Sequence, residues 1–440
     1  MNSPLNKELV DAICIANGLH NAKELGAATI RQFVSVVSDI ERATGERYIR
    51  MEMGVPGLTP SQVGIEAECK AMQTGIAAKY PNIVGIDELK IEASRFIKAF
   101  INIDVPSKCI IPTVGSMQGA FATLTAMKQM RDDRDTILFI DPGFPVQKQQ
   151  CRVIEANIEA FDVADYRAEK LGPKLEEYLR SGRVAAILFS NPNNPSWMCL
   201  NEEELRTIGE LATKYDVVVI EDLAYLNMDF REDRSKPFEP PYQPTVARYT
   251  DNFIQLLSAS KIFSYAGQRG ALVAISESLY EREFDGFKRR YKGGHFGRSF
   301  VHSILYTLSA GVTHSVQYAM AAMFKAASDG EFNYVAQVRE YARRAERVRE
   351  IMLRNGFHIV YDKDCDEDVG NGFFFTFGYR DMTGEKLINK LIYYGVSAIP
   401  LGSTGSAREG LRGCTSNISE EQYDELDKRL RLFNRDYCDK

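Results

Sequence analysis

The chain has 440 residues, 45% hydrophobic and 26% charged, with 54 basic against 60 acidic side chains and a formal charge of −6. That length exceeds what one hydrophobic core usually serves, so about two domains are expected and small stapled scaffolds are excluded. The mild acidity lacks the electrostatic footprint of a protein that binds nucleic acid or an anionic membrane, and neither is an expected partner.

The opening residues, MNSPLNKELVDAICIANG, carry acidic groups near the start and no long apolar stretch, unlike a secretory signal. The longest apolar runs, Val184 to Phe189 and Val217 to Ile220, fall far below the roughly 18 residues of a spanning helix, so a cytoplasmic location without a membrane partner is expected. Within the first 50 residues, Ile30, Phe33, Val34, Val37 and Ile40 recur at spacings of three or four, the stripe of an amphipathic packing helix. From about Ile110 to Ser276 the pattern changes to short apolar strands, CIIP, TILFI, VAAILF, VVVIED, FIQLLS and ALVAIS, alternating with amphipathic helices. This predicts an α/β fold with a mostly parallel sheet covered on both faces. Asn201 followed by Glu204 is a capping-box signal opening one of those helices.

KPFEPPYQP, from Lys236 to Pro244, reads as a surface loop, and a long helical stretch from beyond Ala310 to Arg354 is closed by Gly356. FHIVYD, GFFFTFGY and VSAIP then predict short strands of a smaller α+β domain. The expected organisation is an N-terminal helical segment (1–50) joining the small domain, a large domain (51–315) and a small C-terminal domain (316–440). The eight cysteines stand at least 24 positions apart with no CxxC pair or histidine cluster, so neither disulfides nor a metal site are expected.

No GxGxxG follows a strand, and no GxxxxGK[ST], HExxH or GxSxG is present, which weakens nicotinamide, P-loop, zinc-protease and α/β-hydrolase readings. Five other segments stand at or just beyond predicted strand ends: VGSMQGA (114–120), DPGFP (141–145), SNPNNP (190–195), EDLAY (221–225) and SASKIFSYAGQRG (258–270). Ligands of open α/β sheets bind at those ends. Gly115, Ser116 and Gln118 open a helix whose free N–H groups suit a phosphate, and Ser258, Ser260 and Arg269 add hydroxyls and a guanidinium. Lys261 sits among these donors, where desolvation and the nearby arginine should lower its pKa and favour an imine. Asp222 could hold a proton on a ring nitrogen, while Tyr225 and Asn194 could donate to a phenolate oxygen. Together these requirements describe pyridoxal 5′-phosphate.

With these motifs the chain resembles the class I/II aminotransferases, fold-type I pyridoxal-phosphate enzymes, over roughly Gly54 to Arg412. The resemblance implies Lys261 as the catalytic lysine forming an aldimine. It implies a cofactor site of Ser116, Met117, Gln118, Phe144, Asn194, Asp222, Tyr225, Ser258, Ser260 and Arg269. Tyr80 in YPNIVGIDELK would reach the neighbouring subunit's cofactor phosphate, which implies a homodimer with shared sites. Gly54 and Asn194 would line the substrate pocket, and Arg412, or Arg408 if the turn is shifted, would bind the substrate carboxylate. The implied reaction moves an amino group from an amino acid to a 2-oxo acid, with Lys261, Asp222 and Tyr225 catalytic. A lyase or decarboxylase on the same scaffold is the alternative, and a non-catalytic cofactor sensor a third reading. Three departures mark the substrate side: Trp197 stands where a glycine commonly closes the NPTG-like turn, Phe144 replaces a tyrosine or tryptophan, and GCTSN follows Arg412. His295 and Arg298, in KGGHFGRSF, are further candidates for reading a substrate side chain.

Overall fold

Seven strands form the main sheet of the computed structural model, which describes residues 3–438. They are β1 (Ile110–Val114), β2 (Thr136–Asp141), β3 (Asn157–Asp162), β4 (Val184–Ser190), β5 (Val218–Asp222), β6 (Phe253–Ser258) and β7 (Gly270–Ile275). Their order across the sheet is β1-β7-β6-β5-β4-β2-β3. Only β7 runs antiparallel to its neighbours. Every residue of β2, β5, β6 and β7 is buried. That is why these strands appear in the sequence as unbroken apolar runs and not as alternating patterns.

By contact the chain divides into two compact units. The first comprises Leu58–Asn193 and Cys199–Val338 and holds the seven-stranded sheet. Its helix Glu202–Tyr215 starts with the expected capping box, the Asn201 side chain accepting from Glu204 N and the Glu204 carboxylate from Asn201 N, each at 3.0 Å. The stretch from 310 to 354 is broken: two helices, His314–Ser328 and Tyr334–Val338, belong to this unit, with Gly330 at φ +76° between them.

The second unit comprises the segment ending at Gly57, Asn194–Met198 and the segment from Arg339 onward. Its four-stranded antiparallel sheet is built from β8 (Phe357–Ile359), β9 (Phe374–Tyr379), β10 (Ile399–Pro400) and β11 (Leu411–Cys414), in the order β10-β11-β9-β8. The amphipathic stripe near the N-terminus is the helix Ile30–Thr44, opened by a Thr29/Gln32 capping box and closed by Gly45 at φ +73°. Phe33, Val36, Val37 and Ile40 bury its apolar face in the same core as Leu387, Ile388 and Phe433, and Ile49–Arg50 pairs in parallel with Val396–Ser397. Helix Glu340–Arg354 lies in this unit, followed by Gly356 at φ +83°.

Candidate active site

The carboxyl ends of the parallel strands carry the chemistry-bearing loops. Helix Gly115–Met130 starts directly after β1 at Gly115, whose φ of +68° few side-chain-bearing residues adopt. A Cβ at Gly115 would lie 2.3 Å from Arg269 Nη2, so the guanidinium packs against the bare backbone of the helix N-terminus. Gln118 holds the turn: its Oε1 accepts from Val114 N at 2.8 Å and its Nε2 donates to Ser309 Oγ at 2.9 Å. Met117 O accepts from Gln150 Nε2 at 2.9 Å. Arg269, at φ +55°, is exposed, and its Nη1 donates to Ala266 O at 2.7 Å. Among the described residues no carboxylate comes within salt-bridge distance of that guanidinium. A cation beside the positive end of a helix is unfavourable alone and favourable with an anion between them.

Ser258 caps the short helix Ala259–Ile262, its Oγ accepting from Ser260 N at 3.2 Å, and this turn presents the half-buried Lys261 just past the end of β6. On the adjacent strand, Asp222 ends β5 opposite Leu256. Its Oδ2 accepts from Gln147 Nε2 at 2.9 Å and its Oδ1 from Ala224 N at 3.2 Å. Burial pushes this carboxyl up to about 6, the two donors only partly opposing it. Among the described residues no cationic side chain pairs with it. Phe144 precedes Pro145, the first residue of helix Pro145–Val153 that also carries Gln147, so one turn brings the aromatic ring's backbone to the Asp222 side of the sheet. Tyr225 is buried in the turn following Asp222.

The sequence motifs did not mark Gln147, which is visible only as the third residue after Phe144. Two further buried carboxyls stand first in the motifs DPGFP and EDLAY, which gave them no role. Burial pushes Asp141 up to about 6 beside Lys148, with which it pairs, and Glu221 up to about 7.

A second cluster forms in the other unit. Arg412 on β11 is buried, its Nη2 donates to Glu52 O at 2.6 Å, and its guanidinium lies 4.9 Å from the centre of the Phe374 ring. A Cβ at Gly54 would approach that ring to 2.9 Å. Trp197 takes the left-handed conformation, φ +64°, that suits glycine at this turn, and its buried indole meets Phe374 edge-on at 6.4 Å. Gly372 makes room for it, since a Cβ there would come within 2.1 Å of the indole. Asn194 is buried and lies in the same unit. Arg408 lies over the Tyr361 ring at 5.4 Å. Tyr80 is 90% exposed at the rim of a hollow of about 720 Å³. His295 is tied back, its Nδ1 to Glu281 O at 2.8 Å and its Nε2 to Glu283 at 3.3 Å.

Among the described residues no cluster of histidine, cysteine, aspartate or glutamate could hold a metal. No helix there is long and apolar enough to cross a membrane. The residues present instead fit a phosphorylated, protonated heteroaromatic ring. The Gly115–Arg269 cradle asks for an anion, and the buried Asp222 asks for a cation.

Comparison with known proteins agrees. The family pattern "Aminotransferase class I and II" matches residues 47–430. The probable aspartate aminotransferase of Methanocaldococcus jannaschii is 24% identical over 373 residues, 83% of this chain and 88% of the relative. The aspartate aminotransferase of Pyrococcus horikoshii is 27% identical over 246 residues, and that match spans 59% of the relative. The crystal structure of an aspartate aminotransferase from Thermotoga maritima superposes with a TM-score of 0.74 over 93% of this chain and 97% of its own, at 18% identity, and so shares the fold.

Proposed function

The chain belongs to the class I and II aminotransferases, and from that premise we propose that Lys261 and Asp222 are the catalytic pair of a pyridoxal-phosphate site that this chain completes as a homodimer. The observation that carries the reading is the buried Asp222 carboxylate, fixed by Gln147 and Ala224 and lacking a cationic partner among the described residues. Asp222 would pair with a protonated ring nitrogen, and that charge would favour the carboxyl's ionised form. When bound, pyridoxal 5′-phosphate supplies a conjugated ring that takes up the electron pair released at the substrate's α-carbon.

The residues of this chain do the rest. Backbone N–H groups at Gly115 to Gln118, with Ser258, Ser260 and Arg269, bind the phosphate. Phe144 covers one face of the ring, and Asn194 and Tyr225 donate hydrogen bonds to its oxygen. The Lys261 amine would hold the cofactor and, when free, would carry the α-proton as general base and then acid. Arg412 binds the substrate carboxylate, with Gly54 leaving space beside Phe374. The exposed Tyr80 reaches the cofactor phosphate of the neighbouring subunit. Because the named relatives include aspartate aminotransferases, L-aspartate, with a panel of 2-oxo acids as acceptors, is the first amino donor to assay.

Lys261→Ala tests the assignment. The variant should keep the wild-type circular dichroism and thermal midpoint, lose the visible absorption of lysine-bound cofactor, and lose turnover by about 10³-fold or more. Wild-type turnover in that variant would overturn the reading.

A further inference from the structure

Between Gly286 and Ser328 the chain has no acidic residue, and the start of that stretch, GFKRRYKGGHFGR, carries five lysine and arginine side chains. These cations stand on a rigid base. Phe284, Phe287, Phe296 and Phe300 are buried in one core with Met127 and Met130 of helix Gly115–Met130. Phe296 and Phe300 stack at 6.0 Å, and a π-helical turn, Phe300–Leu305, follows. Such turns recur at functional sites.

Tertiary structure sorts the cations into two sets. Asp132 takes Arg289 and, at 3.5 Å, Arg290, while Glu283 and Asp285 take Lys288. Lys292, Arg298 and His302 have no carboxylate within salt-bridge distance among the described residues. With Arg290 and the serines 299 and 303 they line a hollow of about 570 Å³. Cations gathered in one concavity raise its potential and favour an anion there.

This hollow is remote from the candidate active site. Arg290 Nη1 donates to Gln129 O at 3.2 Å, in the last turn of helix Gly115–Met130, whose first turn faces Arg269. At 1.5 Å per residue the two ends stand about 20 Å apart.

We propose that the hollow binds a small polyphosphate anion, an inorganic polyphosphate or a nucleoside di- or triphosphate, at a second site outside the active-site cleft. A guanidinium pairs two-pronged with a phosphate and an ammonium acts as a point charge, so Arg298 and Lys292 together match a chain of phosphates better than one. The volume falls in the range of sites for molecules of nucleotide size. Asp132, Glu283 and Asp285 lie beside the patch and repel an extended nucleic-acid backbone, which favours a compact ligand.

The test is isothermal titration of the cofactor-loaded protein with tripolyphosphate and with ATP, each without divalent metal, at low and at high salt. The expected result is one site whose affinity falls with salt. It should weaken about tenfold or more in the Lys292→Gln/Arg298→Gln double variant and stay unchanged in Arg269→Gln. Equal affinity for the two anions assigns recognition to the phosphate chain alone, and tighter ATP binding adds a nucleoside contribution; both outcomes support the proposal. It is overturned by absence of binding at low salt, by loss of binding in Arg269→Gln but not in the double variant, or by a single-stranded DNA oligonucleotide binding more tightly than tripolyphosphate.

Discussion

Glu221 and Asp222 are neighbours on β5 whose side chains face opposite sides of the sheet, and both are buried carboxyls pushed up by desolvation, to about 7 and about 6. Their surroundings differ. Glu221 is ringed by donors from its own unit: Thr245 Oγ1 at 2.5 Å, Gln255 Nε2 at 2.9 Å and Val246 N at 3.4 Å. Asp222 accepts from Gln147 and Ala224 at the carboxyl edge of the sheet, where the loops carrying Phe144, Lys261 and Arg269 also emerge. Burial and charge alone do not separate a structural carboxyl from a catalytic one. On the proposed function, what separates them is that Asp222 ends its strand beside the loop that carries Lys261, whereas Glu221 is closed in by three donors.

Three substitutions sharpen this contrast. Asp222→Asn removes the charge that a protonated ring nitrogen needs, and turnover should fall by about 10³-fold while the thermal midpoint holds. A fall of less than tenfold would put Asp222 in the same structural class as Glu221.

Glu221→Gln should act on stability and spare turnover. A carboxyl raised from about 4.5 to about 7 favours the folded state fully below its unfolded pKa, and that stability is lost as pH rises through 7. The wild type therefore pays about 3 kcal/mol at pH 8 that the uncharged variant avoids. Urea unfolding at pH 5 and pH 8 reads this directly, and a variant equally sensitive to pH would break the comparison.

Gln147→Leu removes one donor from Asp222, which raises that carboxyl further. The expected effect is about a tenfold loss in kcat/KM, with the acidic limb of the pH profile moved to higher pH. An unshifted profile would mean that Gln147 only packs.

The central strands were legible because burial on both faces writes itself as an unbroken apolar run. The edge strand Asn157–Asp162 was not, since its first four residues alternate between exposed and half-buried and include Glu159. The helix expected from Ala310 to Arg354 concealed breaks at Gly330 and again near Arg339, where the chain passes from one unit to the other. At the candidate site, Lys261, Asp222, Arg269 and Gly115 could be named from motif and spacing. Gln147 could not, because its role exists only where the helix after Pro145 returns to the end of β5. Trp197 was visible as a departure, but its partners Gly372 and Phe374 lie far along the chain.

The basic segment shows the same divide. Its charge is plain in the sequence, while the pairing of Arg289 and Arg290 with Asp132 appears only in three dimensions and leaves Lys292, Arg298 and His302 to line the hollow. The sequence by itself determined the α/β class, the strand-end loops and the residue types of the site, because periodicity, capping and loop chemistry are local. Tertiary structure alone decided which carboxyl is ringed, which arginine is neutralised and which glycine yields its space, because desolvation and charge pairing depend on groups that sequence distance does not bring together.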